Sequence, residues 1–349
     1  MIEVKHLYVD LGEFVLTDVS LHIKEGEYFI VLGPTGAGKT VLLESIAGLY
    51  PIKSGEIWLR GKEMSRVEPE NRGISIVYQD HVLFPHLSVK DNLVFGLTMH
   101  KATKDEKENR LDWVAQLLGI AHLLLRRPDT LSGGEKQKVA LGRAIITRPK
   151  LLMVDEPLSA IDPETRESVQ QELRKLHKTL GITIIHVTHD FEEAIALGNR
   201  IAVIGGGHLM QVGTPEEVFR HPNSEFVARF AMTKNIFLGK AVRKPSGDTI
   251  FKVDGAEFII ARDVSGNYHA SIRPEDILIS SEPIRSSARN CFAGTITRVV
   301  DKGSTLYVTV SIPPELSCLV TRRSFEELAL HGGKKVYVTF KASSVHLFD

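Results

Sequence analysis

Gly33-Pro34-Thr35-Gly36-Ala37-Gly38-Lys39-Thr40 decides the reading of this chain. Its spacing is G-x-x-x-x-G-K-[ST], placed directly after the apolar run Phe29-Ile30-Val31-Leu32 and before a helical pattern. Glycines at these positions let the backbone curl until its N–H groups point inward at phosphate oxygens. Lys39 adds positive charge for the β- and γ-phosphates, Thr40 a hydroxyl for Mg²⁺, and the helix that follows its positive end. A glycine-rich turn with an exposed lysine would require no strand before it and no helix after it. The stretch therefore predicts a phosphate-cradling loop for a nucleoside triphosphate, built from all eight residues.

Outward from the loop, residues 74–77, 151–154, 182–185 and 201–204 read as further strands, several of them apolar on both faces as strands covered by helices must be. Helices fall between them. Asp162 can cap one with Pro163 at its first position, and Thr103 and Glu106 have capping-box spacing before Leu111, Val114 and Leu118. Alternating strands and helices predict an α/β domain with a largely parallel sheet. The strand at 151–154 delivers Asp155 and Glu156 at its carboxyl end, where such sheets bind ligands. Asp155 is placed to hold Mg²⁺, and Glu156 to polarise a water attacking the γ-phosphate.

A chain of 349 residues exceeds the size at which single cores stop growing, so two domains are expected. After about Asn235 the texture changes to short strand-like segments (256–260, 293–299, 306–310, 336–341) separated by Gly, Pro, Asp and Ser, which predicts a small β-barrel over 236–349. The 43 basic and 43 acidic residues cancel, which removes any global electrostatic case for nucleic acid as partner. Fifteen of the basic and twelve of the acidic residues lie from Ile236 onward, so a domain of net charge −3 precedes one of +3. Two cysteines, Cys291 and Cys318, make no disulfide framework and suit a reducing compartment. No run approaches the ~18 apolar residues of a membrane-spanning helix, and the start lacks the order of a signal peptide. A cytoplasmic chain is expected.

Leu131-Ser132-Gly133-Gly134-Glu135 adds a family resemblance. It is similar to the L-S-G-G-Q signature of the nucleotide-binding subunits of ABC transporters, with Glu135 in place of the final glutamine. The other family positions follow in order: Gln79 after the strand at 74–77, Ser159-Ala160-Ile161-Asp162 with Ile161 where leucine is usual, and His189 in Val187-Thr188-His189-Asp190. The resemblance implies a P-loop NTPase (ABC ATPase) domain over 1–235 with a helical subdomain at about 82–148. It implies ATP and Mg²⁺ as cofactors, Glu156, His189 and Gln79 as catalytic residues, and Thr40, Gln79 and Asp155 around the metal. Ser132, Gly133, Gly134 and Asp162 would meet nucleotide across a head-to-tail homodimer holding two ATP. His186, inside its strand, is expected to be no more than an ordinary surface histidine. The family stacks an aromatic side chain on adenine where this chain has Leu11; Tyr8 and Phe14 are both candidates to take over, and either could equally be packing in the sheet. Residues 81–96 resemble the importer surface that receives a permease helix. That implies permease subunits, an extracytoplasmic solute-binding protein at one remove, and a peripheral position on the cytoplasmic face of the membrane.

In the second domain, Ser271-Ile272-Arg273-Pro274-Glu275-Asp276 resembles a stretch of importer accessory domains. Ser286-Ser287-Ala288-Arg289-Asn290, with Val320-Thr321, Glu327-Leu328 and Lys341-Ala342-Ser343-Ser344-Val345, resembles the molybdate-binding Mop module over about 285–349, an OB-like barrel of the Mop/TOBE type. By that resemblance Ser287, Arg289, Thr321, Lys341 and Ser343 are candidate ligands of a regulatory oxyanion, each chain supplying half a site. The implied function is the ATPase of a molybdate or tungstate importer, slowed by cytoplasmic oxyanion. The alternative is an importer ATPase for sulfate, sugar or polyamine with a purely structural second domain.

Overall fold

The structure, a computed structural model, describes residues 1–159, 163–231, 234–245 and 247–348. It divides into two compact units, Met1–Pro215 and Glu216–Asp349. The change of texture in the sequence put the boundary at 235/236. The intervening residues form two short helices, and their contacts place them in the second unit.

The first unit contains β1 (Ile2–Asp10), β2 (Val15–Ile23), β3 (Tyr28–Leu32), α1 (Lys39–Ala47), β4 (Ser54–Leu59), β5 (Lys62–Glu63) and β6 (Ile74–Val77). Three helices follow, α2 (Val89–Met99), α3 (Lys104–Leu117) and α4 (Gly133–Ile145). Then come β7 (Leu151–Asp155), α5 (Pro163–Leu180), β8 (Thr183–Thr188), α6 (Phe191–Leu197), β9 (Arg200–Gly205) and β10 (His208–Gly213). One sheet is antiparallel, in the order β2-β1-β4-β5; the other runs β10-β9-β3-β8-β7-β6 and is parallel except for β10. Strands β3, β7 and β8 are buried along their whole length, which is why β3 and β7 read as apolar runs, while β8 buries the polar Thr183, His186 and Thr188 among its apolar residues.

The core of this unit brings Leu42, Leu43 and Ile46 of α1 together with Ile2, Val4 and Leu7 of β1 and Leu151 and Met153 of β7, so the helix after the glycine loop is clamped by both sheets. A buried cation fixes its far end. The Arg72 guanidinium donates to the carbonyls of Ser45 (3.3 Å) and Ile46 (2.8 Å) in the last turn of α1 and to Val67 (2.8 Å). Register then sets where chemistry can occur. Leu32 pairs with Thr188 and Asp155 with Val187, so the glycine loop, the two carboxylates and the residues after Thr188 leave the sheet at one edge.

The second unit contains α7 (Pro215–Arg220), α8 (Glu225–Phe230), β11 (Asn235–Arg243), β12 (Thr249–Val253), β13 (Ala256–Ile260), β14 (Gly266–Ile272) and β15 (Leu278–Ser280). It continues with β16 (Asn290–Asp301), β17 (Thr305–Ser311), β18 (Glu315–Thr321), α9 (Arg322–Glu327), β19 (Lys335–Phe340) and β20 (His346–Phe348). The strands form two five-stranded antiparallel sheets, β13-β12-β11-β14-β20 and β15-β19-β16-β17-β18. They share one core, in which Phe258 of the first sheet meets Phe292 (5.5 Å) and Phe340 (5.3 Å) of the second edge to face.

Candidate nucleotide site

The loop between β3 and α1 owes its shape to residues without side chains. A Cβ on Gly33 would lie 2.3 Å from the Ile204 carbonyl oxygen, and Gly38 caps α1 at φ 100°, where a Cβ would lie 2.4 Å from the Phe14 ring. Inside the loop the Lys39 ammonium donates to the carbonyls of Gly33 and Pro34, both at 3.0 Å, and sits 3.6 Å from Glu156 Oε1. Only 5% of it is exposed. Burial pulls its pKa below the ordinary lysine value, and the charges of Glu156 and Asp155 oppose that shift. A cavity of about 240 Å³ opens on this loop, lined by Thr35, Gly36, Gly38, Lys39, Thr40, Val41, Glu156 and Phe14.

Thr40 donates its hydroxyl to Asp155 Oδ2 at 2.8 Å. Burial pushes the Asp155 carboxyl upward, opposed by the Thr40 hydrogen bond and by Lys39, and its Oδ1 is buried with no hydrogen-bond partner. A hydroxyl beside a carboxylate with one unsatisfied oxygen is a hard-donor pair of the kind Mg²⁺ takes, since that ion keeps most of its waters and needs one or two protein ligands plus phosphates. The residues present fit it. No cluster of three or more His, Cys, Asp or Glu able to hold a metal by itself occurs among the described residues.

Glu156 adopts φ 44°, a left-handed conformation rare for a side chain of its size, held by its own N–H donating to the Val187 carbonyl at 2.9 Å. That turn aims the carboxylate between two basic side chains: Oε1 faces the Lys39 ammonium, and Oε2 lies 3.1 Å from His189 Nδ1. Gln79 lies two residues past Val77, whose register partner is Val154, so the same sheet edge carries it; its side chain is exposed. Ser159 donates to the Glu156 carbonyl at 2.9 Å, whereas Asp162 lies outside the described residues.

Ser132 begins α4 as its N-cap. Its hydroxyl accepts the Glu135 N–H (3.3 Å) and the Glu135 carboxylate accepts the Ser132 N–H (2.7 Å), a complete capping box. The departure from the family's glutamine thus has a local role, and that N–H holds the Glu135 carboxyl below its ordinary pKa. Neither Ser132, Gly133 nor Gly134 lines the loop cavity, and a Cβ on Gly133 would meet nothing within 4 Å of its own chain. The capping box foreseen at Thr103 forms only by half. Thr103 accepts from the Glu106 N–H, but Glu106 turns to Arg110 at 2.7 Å.

Of the aromatic candidates, Phe14 lines the cavity and packs on Gly38. Tyr8 lies under the Lys53 ammonium at 5.5 Å, and Leu11 is solvent-exposed; neither lines the cavity. Phe14 is one of the two aromatic candidates named from the sequence, whereas Arg72 behind α1 and the partners of His186 carry no local sequence signal, because each contact joins segments far apart in the chain. A larger cavity of about 420 Å³, lined by Trp113, Arg148, Lys150 and Thr183 among others, lies at the amino-terminal ends of β7 and β8, the wrong end of the sheet for phosphate chemistry.

The oxyanion candidates are dispersed. Arg289 makes a bidentate pair with Asp248 (2.9 and 3.0 Å), which holds the Asp248 carboxyl below its ordinary range. Asn290 pairs with Phe340, so Arg289 and Lys341 are neighbours at one sheet end. Lys341 and Ser343 line a cavity of about 360 Å³ with Arg220, Ser271 and Arg273. Ser287 is exposed, and Thr321 caps α9 beyond β18, at the opposite end of β16 from Arg289. One chain does not gather the five.

The ABC transporter family profile matches residues 16–159, and the TOBE domain profile matches 286–347. The molybdate/tungstate import ATP-binding protein WtpC of Pyrococcus horikoshii is 42% identical over 349 residues, all of both chains. The spermidine/putrescine import ATP-binding protein PotA of Trichormus variabilis is 40% identical over 82% of this chain and 77% of its own. Among solved structures, a dimeric post-hydrolysis state of the ATP-binding cassette MJ0796 with ADP and phosphate aligns with TM-score 0.55 at 28% identity, covering 62% of this chain and 99% of that one. CbiO1 of Clostridium perfringens aligns with TM-score 0.59 at 31% identity, covering 65% and 92%. With the loop, the carboxylate pair and the signature helix in place, these likenesses identify the chain as a member of the ABC importer ATP-binding subunits, ATPases coupled to transport.

Proposed function

We propose that this chain energises import of molybdate or tungstate, as a homodimer that closes on two MgATP beneath separate permease subunits. The observation that carries the substrate is the end-to-end 42% identity to a molybdate/tungstate import protein, unbroken through the second unit. The dimer rests on Gly133. Nothing in its own chain demands a glycine there, so the open space beside the Ser132 cap suits the nucleotide of a second copy. The permease surface rests on residues 81–96. Buried Asn92 holds that loop through Phe84 and Ser88, Arg143 stacks over Phe84 at 5.2 Å, and Val82 stays exposed. No helix among the described residues is long and apolar enough to cross a membrane.

In hydrolysis the Lys39 ammonium is held at the loop to neutralise phosphate charge, and Phe14 offers its ring to the base. Thr40 and Asp155, with Gln79, would hold Mg²⁺, which supplies charge neutralisation at the phosphate oxygens. Glu156, oriented between Lys39 and His189, accepts a proton from the attacking water, and the His189 ring, half in solvent, contacts the γ-phosphate.

The second reading, a polyamine importer, rests on the 40% relatives. Calorimetric titration of the full-length dimer with molybdate, tungstate, sulfate and spermidine separates the two. Heat with molybdate or tungstate, accompanied by slower ATP hydrolysis, is expected. No heat with any oxyanion would end the regulatory part of the proposal, and heat with spermidine alone would favour the second reading.

A further inference from the structure

Beneath His189 runs a buried line of polar side chains. Burial raises the Tyr28 phenol well above its ordinary pKa, so it keeps its proton, and its hydroxyl is hydrogen-bonded to His186 Nδ1 at 2.9 Å. The other ring nitrogen, Nε2, faces Glu193 Oε2 at 3.3 Å. The same carboxylate oxygen accepts the Thr188 hydroxyl at 2.7 Å. Thr188 Oγ1 in turn accepts the Asp190 N–H at 3.0 Å, and Asp190 caps α6 by accepting the N–H groups of Glu192 and Glu193. His186 and Glu193 are 0% and 3% exposed. Of the residues flanking His189, Thr188 is therefore tied directly to the buried Glu193 carboxylate, and Asp190 to Thr188 and to the Glu193 backbone N–H.

A buried histidine–carboxylate pair is a poor device for stability, because desolvation offsets its attraction and apolar replacements of similar volume do as well or better. What this pair supplies is a fixed geometry for the backbone on either side of His189, whose Nδ1 must meet Glu156. We propose that His186 and Glu193 are positioning residues that hold the His189 segment in register with Glu156 and the phosphate loop. The proposal rests on the reading of His189 given above.

The test is steady-state ATPase of the full-length chain. The double variant His186→Leu/Glu193→Leu, which removes both polar partners together, should fold, keep KM for ATP within about twofold, and lose at least tenfold in kcat. Thr188→Val, nearly isosteric, should lose kcat in the same sense, and it decides the matter if the double variant does not fold. Added to His189→Ala, the double variant or Thr188→Val should lower the residual turnover no further, since the network acts through that ring. A folded double variant or Thr188→Val with normal kcat overturns the proposal, as does a full multiplicative loss on top of His189→Ala. Normal turnover of His189→Ala alone overturns the His189 reading and the proposal with it. Loss in His189→Ala beside a normal double variant overturns the proposal only.

Discussion

The glycine loop of the first unit and the candidate anion ligands of the second are both assemblies of small, hydroxylic and cationic residues, yet they are held in opposite ways. Lys39 is buried, fixed by two carbonyls and balanced by Glu156 across 3.6 Å, and every neighbour is supplied by the parallel sheet edge. Arg289 is exposed and already paired with Asp248, while Thr321 sits at the far end of β16. The first arrangement is preorganised for a polyanion. Its charge is in place, desolvated, and needs no rearrangement to meet phosphate. The second does not bring its five candidates to one focus, so a site that used Arg289 would have to break its ion pair with Asp248, and one that used Thr321 as well would have to recruit a second chain.

The largest effect expected from this contrast is at Glu156. Glu156→Gln keeps the shape and removes the base, so kcat for ATP should fall by about 10²–10⁴ while KM changes little. Turnover near that of the unaltered chain would mean the convergence of Lys39, Glu156 and His189 is not the hydrolytic centre. Next is Phe14. If its ring carries the base, Phe14→Ala should raise KM for ATP about two- to tenfold, the range of one aromatic stacking contact, with a smaller change in kcat. Leu11→Ala or Tyr8→Ala raising KM more than Phe14→Ala would move the base contact to another residue.

How much of this was legible in the sequence follows the same divide. The strands at 29–32 and 151–154 could be read because burial on both faces leaves an unbroken apolar run, and the glycine loop because its backbone permits few other residues. The capping box at Ser132 and Glu135 was also written locally, three residues apart. Long-range partners were not. His186 reads as an ordinary surface histidine, yet it is fully buried, because its two contacts, Tyr28 and Glu193, sit on β3 and α6; Arg72 likewise gives no sign that its targets are the carbonyls of α1. The change of texture at 235/236 marks where strands begin, while the compact unit starts at 216 because two helices precede those strands. The anion candidates were read as one set from their order along the chain, an order that carries no information about which end of β16 each occupies.

The smallest expected effect probes that last point. If Arg289 is an oxyanion ligand, its bidentate partner Asp248 is a competitor that the anion must displace. Asp248→Asn keeps the volume but removes the charge, so molybdate affinity measured by calorimetry should rise about two- to fivefold, the scale of an exposed ion pair. The pairing holds Asp248 below the ordinary carboxylate range, so near neutral pH it stays charged and competition is at full strength. Lys341→Ala and Ser343→Ala should weaken the same binding, because both line the 360 Å³ cavity. Unchanged affinity in Asp248→Asn beside a loss in Lys341→Ala would leave the anion in that cavity with Arg220 and Arg273 as its cations, and would assign the Arg289–Asp248 pair to holding the β12 and β16 ends together.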